Sequence, residues 1–312
     1  VIVCVAANPS IDKLFEVERL VPGTIHRPLE FVQVAGGKGL NVARSARTLG
    51  AEVLAAGILR GHAGKWIEEA LTAEGIGGAF VWTEGENRSS LSVADREDRG
   101  LTEFYEHGPV VPSGAWGELT EAVGRLFRPG GWLTISGSMP PGAPEDGYRH
   151  LVTAARAAGM RVALDAEGDR LRLALSAEPD VVKVNAAEAA QLLGVPAAHR
   201  DDALAAAAKI QELAGGHGHA GLVTRGAEGV VVAAPDGRRY QGTLYERGRY
   251  PVGSGDAFLA GLVVGLGTGE DWPAALRLAL GTATANAEVP GAGTLDPARA
   301  DQLADLAEVQ EL

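Results

Sequence analysis

The sequence predicts an α/β fold: a mostly parallel sheet flanked by helices on both faces, with a small β-sheet lid. Three observations carry that expectation. From Trp116 onward, short apolar runs alternate with stretches of helical length, the rhythm of a parallel sheet covered on both sides. Earlier, two pairs of segments alternate apolar and polar residues and read as half-exposed strands. Finally, two glycine-rich turns, Gly36–Asn41 and Gly253–Asp256, each open a helix, where backbone N–H groups can meet a ligand.

In order, Val1–Ala7 is a buried first strand, broken by Asn8-Pro9-Ser10-Ile11-Asp12. Leu14–Leu20 and Leu29–Val34 alternate around a Pro22-Gly23 turn and form the first half-exposed pair. The Gly36–Asn41 turn leads into a helix over Val42–Leu49, which Gly50 ends. A strand at Val53–Ile58 and a helix at Trp66–Glu74 follow. Ser89–Asp95 and Leu101–Glu106 make the second pair across the charged turn Arg96–Gly100. The remaining strands are Trp132–Ser136, Arg161–Asp165, Val181–Val184, Gly221–Thr224 and Gly229–Ala234. Helices are expected over Glu118–Phe127, Tyr148–Ala158, Ala187–Leu193, Asp201–Leu213, Asp256–Gly265, Pro273–Asn286 and Pro297–Leu312. This divides the chain into a core of residues 1–11, 36–85 and 111–312 and a β lid of residues 12–35 and 86–110. Ligands of open α/β sheets bind beyond the carboxyl ends of the strands, so a small sheet there would cover the site.

Composition narrows the function. The 312 residues are 46% hydrophobic, ample for a core. A formal net charge of −12 argues against non-specific binding to nucleic acid or to an anionic membrane. Cys4, the single cysteine, lies in an apolar strand, so a core thiol and a reducing, cytoplasmic setting are expected. The apolar N-terminal run is short and lacks the basic flank of a signal peptide, and the initial Val suggests that something was trimmed before it. No stretch approaches the roughly 20 apolar residues of a membrane span. There is no Gly-x-x-x-x-Gly-Lys-[Ser/Thr] loop and no Gly-x-Gly-x-x-Gly after the first strand, which disfavours P-loop and dinucleotide folds. His217-Gly218-His219 lacks a nearby third ligand and reads as an exposed loop.

The chemistry concentrates in Pro251-Val252-Gly253-Ser254-Gly255-Asp256. Small residues running into a helix make an anion site, and Asp256 puts a carboxylate at its rim. That suits phosphate charge developing over the loop while Asp256 takes a proton from a hydroxyl. Taken alone, the stretch is equally a Gly-Ser turn whose Asp caps the helix.

Three further motifs stand in register with this one: Gly36-Gly37-Lys38-Gly39-Leu40-Asn41, Ser136-Gly137-Ser138-Met139-Pro140-Pro141-Gly142 and Lys183-Val184-Asn185-Ala186-Ala187-Glu188. In this order and spacing the chain resembles the ribokinase-like, or PfkB, family of carbohydrate kinases over essentially its whole length. Asn8–Lys13 and Thr102–Pro109 look most like the branch holding 1-phosphofructokinase and tagatose-6-phosphate kinase. The resemblance implies MgATP-dependent phosphorylation of fructose 1-phosphate at C6 or tagatose 6-phosphate at C1. Alternatives are a kinase of an unphosphorylated sugar or nucleoside, or a non-catalytic sugar or nucleotide sensor on the same fold.

Residue by residue, the resemblance makes Asp256 the base and gives Gly253, Ser254 and Gly255 the donors for the moving phosphoryl group. Asp12 matches the sugar-hydroxyl acceptor, and Gly36, Gly37 and Asn41 match the sugar-contacting loop. The substrate phosphate needs cations, for which Lys38 and Arg88 stand out together with Ser138, and Arg27 in reserve. Glu103 falls where some 6-phosphofructokinases carry a second cation. Asn185 and Glu188 match an Asn-x-x-Glu element that orders Mg²⁺ through water, although the same spacing makes a helix capping box. Val184 stands where the family usually has Pro. Lys183 is placed to reach the ATP phosphates. Thr224, Gly226 and Gly229 match the strand–turn–strand beside the adenine, and would serve equally as a plain hairpin. Asn286 and the Gly291–Gly293 loop fall where relatives hold a monovalent cation or the adenine. Exposed lid edges, which proteins usually cover, suggest a homodimer through the lid.

Overall fold

The structure, a computed structural model, describes residues 1–312. The strands are β1 (Ile2–Ala6), β2 (Ser10–Val17), β3 (Glu30–Gly36), β4 (Val53–Arg60), β5 (Gly77–Thr83), β6 (Arg88–Asp95), β7 (Leu101–Tyr105), β8 (Trp132–Ser136), β9 (Arg161–Asp165), β10 (Val181–Asn185), β11 (Ala220–Thr224), β12 (Val230–Ala233), β13 (Arg239–Thr243) and β14 (Glu308–Glu311). The helices are α1 (Lys38–Thr48), α2 (Gly61–Ala73), α3 (Ala115–Leu126), α4 (Gly147–Ala157), α5 (Gly168–Leu175), α6 (Ala186–Leu193), α7 (Arg200–Leu213), α8 (Ser254–Thr268), α9 (Trp272–Glu288) and α10 (Pro297–Leu306).

Ten strands form one sheet in the order β14-β13-β12-β11-β10-β9-β8-β1-β4-β5. From β5 to β11 all neighbours are parallel. The last three strands extend the edge antiparallel. Alternation along each strand splits the core into two layers. In β1, Val3 and Val5 join α3 to α7 on one face, while Ile2, Cys4 and Ala6 join α1, α2 and α8 to α10 on the other. Burial on both faces is why this strand reads as an unbroken apolar run. Cys4 is wholly enclosed there, and burial pushes its thiol up to about 12, as befits a packing residue.

The neighbours of β1 are β4 on one side and β8 on the other. The chain therefore leaves β1 and β8 in diverging directions and opens a crevice at their carboxyl ends. Over it sits the second sheet, β3-β2-β6-β7, with β2 and β6 parallel at its centre. Its pleat turns Asp12 and Leu14 towards the main sheet and Lys13 and Phe15 away. Leu14 and Ala94 pack there on Tyr250, from the loop before α8.

The structure corrects the expected elements in five places. Ser10-Ile11-Asp12 belongs to β2 rather than breaking the chain. Gly77–Thr83, which begins with a glycine pair, is the edge strand β5. A Cβ on Gly78 would stand 1.8 Å from the Ala55 carbonyl oxygen, so the glycine reflects close packing and not a turn. Gly168–Leu175 is a helix and Arg239–Thr243 a strand, neither of which was expected. The helix expected to the C-terminus stops at Leu306, where Ala307 turns extended, and Glu308–Glu311 pairs with β13. The unfilled edge of β13 supplies the hydrogen bonds that decide this.

Candidate active site

The crevice is a cleft of about 1280 Å³ between the two sheets. Its walls include Asp12, Gly37, Lys38, Asn41, Arg88, Ser138, Lys183, Asn185, Glu188, Thr224, Gly226, Gly229 and the whole Gly253–Asp256 turn. Residues up to 244 positions apart thus meet: Lys38, Asn185, Glu188 and the Gly253–Asp256 turn stand where main-sheet strands end or helices open, and Asp12 and Arg88 come from the starts of lid strands β2 and β6.

Gly253 caps α8 in the left-handed region at φ 81°, and a Cβ there would press on Ala292 and Gly293. Of the turn's amides, Ser254 donates to the Pro251 carbonyl and Asp256 to that of Gly253, leaving Gly253 and Gly255 without an acceptor in the chain. The anion donors are therefore those two amides, and the expected Ser254 amide is spent inside the turn. The Lys183 ammonium lies 3.0 Å from where a Cβ on Gly255 would stand, so a cation adjoins the free amide. Asp256, in the first turn of α8, is buried and accepts a hydrogen bond from Asn41 Nδ2 at 2.8 Å. Burial, with the charge of Asp165, raises its carboxyl to about 7 against the pull of Lys38, Lys183 and Asn41. A carboxyl poised there can exchange a proton near neutrality.

Below Asp256 runs a chain of charge. Asp165, at the end of β9 and wholly buried, accepts from Lys183 Nζ at 2.6 Å and Lys38 Nζ at 3.4 Å. Lys38 also reaches Glu188 Oε1 at 3.3 Å. Asp165 chiefly, with Glu188 and Asp256, raises the Lys38 ammonium above its usual range. Burial alone would raise Asp165, but the two lysines together hold it low. Lys38 was expected at a substrate phosphate beside Arg88 and Ser138. Instead its stem crosses Gly137 and its head turns to these two carboxylates, on the Asp256 side.

Asn185 and Glu188 make a full capping box: Asn185 Oδ1 accepts from Glu188 N at 2.9 Å, and Glu188 Oε2 from Asn185 N at 2.8 Å. With Glu188 Oε1 taken by Lys38, these residues do not form a direct metal cage. No group of three His, Cys, Asp or Glu side chains in the molecule does. Their acceptors suit contact with a hydrated ion, the form in which Mg²⁺ is commonly held.

On the other wall, Asp12 accepts from Gly37 N at 3.1 Å and from Ser10 Oγ at 2.5 Å. A Cβ on Gly36 would stand 2.0 Å from the Asp12 carboxyl carbon, so Gly36 makes room for the carboxylate without itself lining the cleft. Arg88 donates to the Asn8 carbonyl at 3.3 Å and to Ser90 Oγ at 3.0 Å, and Asn8 Nδ2 reaches Ser138 Oγ at 3.5 Å. Arg88, Asn8 and Ser138 are thus joined. Glu103 accepts from Tyr105 and from Ser92 at the same mouth.

At the far end, β11 and β12 form an antiparallel hairpin through the Gly226–Glu228 turn, with Thr224 Oγ1 on the Val184 carbonyl at 3.3 Å. Two expected residues lie elsewhere. Arg27 is exposed in the β2–β3 loop, outside the cleft. Asn286 is wholly buried behind the Gly253 turn, donating to Val252 O at 2.9 Å and accepting from Gly293 N at 2.7 Å. It braces the two loops and does not line the cleft. The carbonyls of Gly291, Ala292 and Gly293 accept from Thr294, Arg44 and Ser45.

Asp165 was missed from sequence. Its signal was an aspartate ending a buried parallel strand, which only the β9–β10 pairing sets beside Lys183. Tyr250 and Glu16 were missed too. Glu16, 1% exposed on β2, accepts from the Tyr250 hydroxyl at 2.7 Å and pairs with Arg96 and Arg249 at 2.6 and 3.2 Å.

Known proteins agree with this architecture. The profile of the pfkB family of carbohydrate kinases matches residues 3–299. A 1-phosphofructokinase of Haloferax volcanii is 32% identical over 310 residues, 99% of this chain and 97% of that protein. Phosphofructokinase-2 of Escherichia coli, solved with substrates and products, superposes at a TM-score of 0.89 with 23% identity, covering 98% of each chain. A Thermotoga maritima protein described as a possible 1-phosphofructokinase gives 0.88 and 24%, covering 100% of this chain and 99% of that one. Ribokinase of Arabidopsis thaliana, with ribose and ATP, gives 0.75 and 22%, covering 97% and 98%. The ribokinase-like fold, the register of the four glycine- and asparagine-bearing motifs and the match along nearly the whole chain lead to one assignment: this is a carbohydrate kinase of the PfkB family.

Proposed function

We propose that the protein transfers the γ-phosphoryl group of ATP to a hydroxyl of a ketohexose phosphate, with fructose 1-phosphate phosphorylated at C6 as the first candidate and tagatose 6-phosphate at C1 as the second. The observation that carries the reaction is Asp256: a buried carboxyl raised to about 7, set beside free amides and the Lys183 ammonium. The acceptor hydroxyl gives its proton to Asp256 as its oxygen bonds to phosphorus, the bond from phosphorus to the β,γ-bridging oxygen breaks, and ADP leaves. Asn41 aims the carboxylate, and Asp12 orients the sugar hydroxyls. Gly253 N, Gly255 N, Lys183 and Lys38 oppose charge on the moving phosphoryl group. Mg²⁺ bound with the nucleotide would neutralise its phosphate oxygens, and Asn185 and Glu188 would hold it through water. The β11–β12 turn receives the adenine.

The substrate class rests on the Haloferax relative and on Arg88 joined to Ser138. The Glu103 carboxylate at the same mouth favours a second reading, an unphosphorylated sugar or nucleoside. An ADP-release assay with MgATP separates them, using fructose 1-phosphate, tagatose 6-phosphate, fructose 6-phosphate, fructose, ribose and adenosine. Selective turnover of a phosphorylated ketose is expected. Turnover of only the unphosphorylated compounds would remove Arg88 as a phosphate ligand, and no turnover with ATP still bound would favour a sensor.

A further inference from the structure

The β8 side of the cleft carries a cation that none of the family motifs contains. Arg170, in the first turn of α5, lines the cleft and is only partly exposed. Its neighbours are neutralised: Arg172 pairs with Asp169, and Arg156 with Glu178. Arg170 enters no ion pair, and its Nε is buried without a hydrogen-bond partner. Ser136, 2% exposed at the end of β8, lines the same cleft with an Oγ that is likewise buried and unpartnered. The two lie close to one turn. Ser136 pairs with Asp165 across β8 and β9, the Gly137 amide donates to the Asp165 carbonyl at 2.9 Å, and α5 with Arg170 follows at once. The Tyr148 hydroxyl donates to the Gly137 carbonyl at 3.0 Å, and the charge of Arg170 opposes the burial that raises that hydroxyl. Gly137 separates Ser136 from Ser138, whose hydroxyl is joined through Asn8 to Arg88. Arg170 and Arg88 thus line the same cleft from different elements, α5 and β6.

Leaving a guanidinium nitrogen and a hydroxyl buried without partners costs free energy, and a bound anion would recover it. We propose that Arg170, with Ser136, forms the second half of the acceptor's phosphate pocket, opposite Arg88, and so sets selectivity for a phosphorylated sugar. The transferring phosphoryl group already has Lys183 and Lys38, which are held at Asp256 by Asp165. The proposed nucleotide end of the cleft is the β11–β12 turn, beyond β10, whereas Arg170 follows β9, the neighbour of β8. The fixed fork of arginine suits a phosphate better than a single ammonium would. The assignment rests on the sugar-phosphate reading above.

Steady-state kinetics of wild type, Arg170→Ala and Arg170→Lys with fructose 1-phosphate, free fructose and MgATP test it. For Arg170→Ala, a rise of about tenfold to hundredfold in KM for the phosphorylated ketose is expected, from the loss of a charge-assisted contact. KM for ATP and turnover of free fructose should stay within about twofold of wild type, and Arg170→Lys should restore part of the loss. A rise in KM for ATP instead would overturn the assignment, and so would an equal loss on both acceptors. If wild type prefers fructose 1-phosphate and Arg170→Ala leaves that preference intact, the arginine assignment fails while the substrate reading stands. If wild type shows no preference for the phosphorylated acceptor, both fail.

Discussion

Asp256 combines a short hydrogen bond to Asn41 with burial that resists its charge. Asp256→Asn removes the proton acceptor and keeps the shape, so kcat should fall by about 10²–10⁴ while ATP and sugar affinities change little, measured by turnover and calorimetry. The carboxyl must be ionised to accept a proton, so kcat/KM of the wild type should fall as pH drops below about 7. The stability effect has the opposite direction. A folded-state value raised from 3.8 to about 7 means that the ionised form is disfavoured on folding, so stability is lost as pH rises across that window. Asp256→Asn should therefore melt above wild type at pH 8 and close to it at pH 4. Asp165 acts on both of its partners. Asp165→Asn leaves the Lys183 ammonium buried without its counter-charge, costing roughly 3–5 kcal/mol in urea unfolding. It also removes a negative neighbour of Asp256, so the acid limb of kcat/KM should move to lower pH.

At the scale of elements, the joint between the two sheets is Glu16 on β2 meeting Tyr250 in the loop before α8. The strand that holds Asp12 is thus tied to the turn that holds Asp256. Burial raises the Tyr250 hydroxyl to about 12, so it remains a donor at working pH, and its hydrogen bond helps keep Glu16 low. Tyr250→Phe deletes that bond while Arg96 and Arg249 still hold Glu16. A loss of roughly 1.5–3 kcal/mol in urea unfolding is expected, with a higher KM for the sugar and an unchanged KM for ATP.

For the whole molecule, the outer face of the small sheet carries exposed aromatic surface. Phe31 and Phe104 are 54% and 58% exposed and share that face with Phe15 and Leu91. Contiguous aromatic surface of this kind marks an interaction site. We infer that a second copy of the chain covers it, and sedimentation should give a dimer at micromolar concentration. Phe31→Glu with Phe104→Glu should give a monomer, and a wild-type monomer would overturn the inference. No helix is long and apolar enough to cross a membrane.

The strand–helix rhythm was legible because both faces of the main sheet are buried, which leaves continuous apolar runs such as Val1–Ala7 and Trp132–Ser136. The anion turn was legible because close approach and a left-handed cap need glycine at 253, whatever surrounds it. Partnerships were not. The sequence holds Lys38, Asp165, Lys183 and Glu188 at separations of up to 150 positions, and nothing local says which carboxylate a lysine will find. Nor does it say that Asn286 braces a loop instead of facing the cleft, or that Arg170 stands unpaired. Local spacing and backbone sterics determined the elements and the turn. Strand order determined the charges, because an ion pair depends on distance across the sheet, and that distance exists only once the sheet has formed.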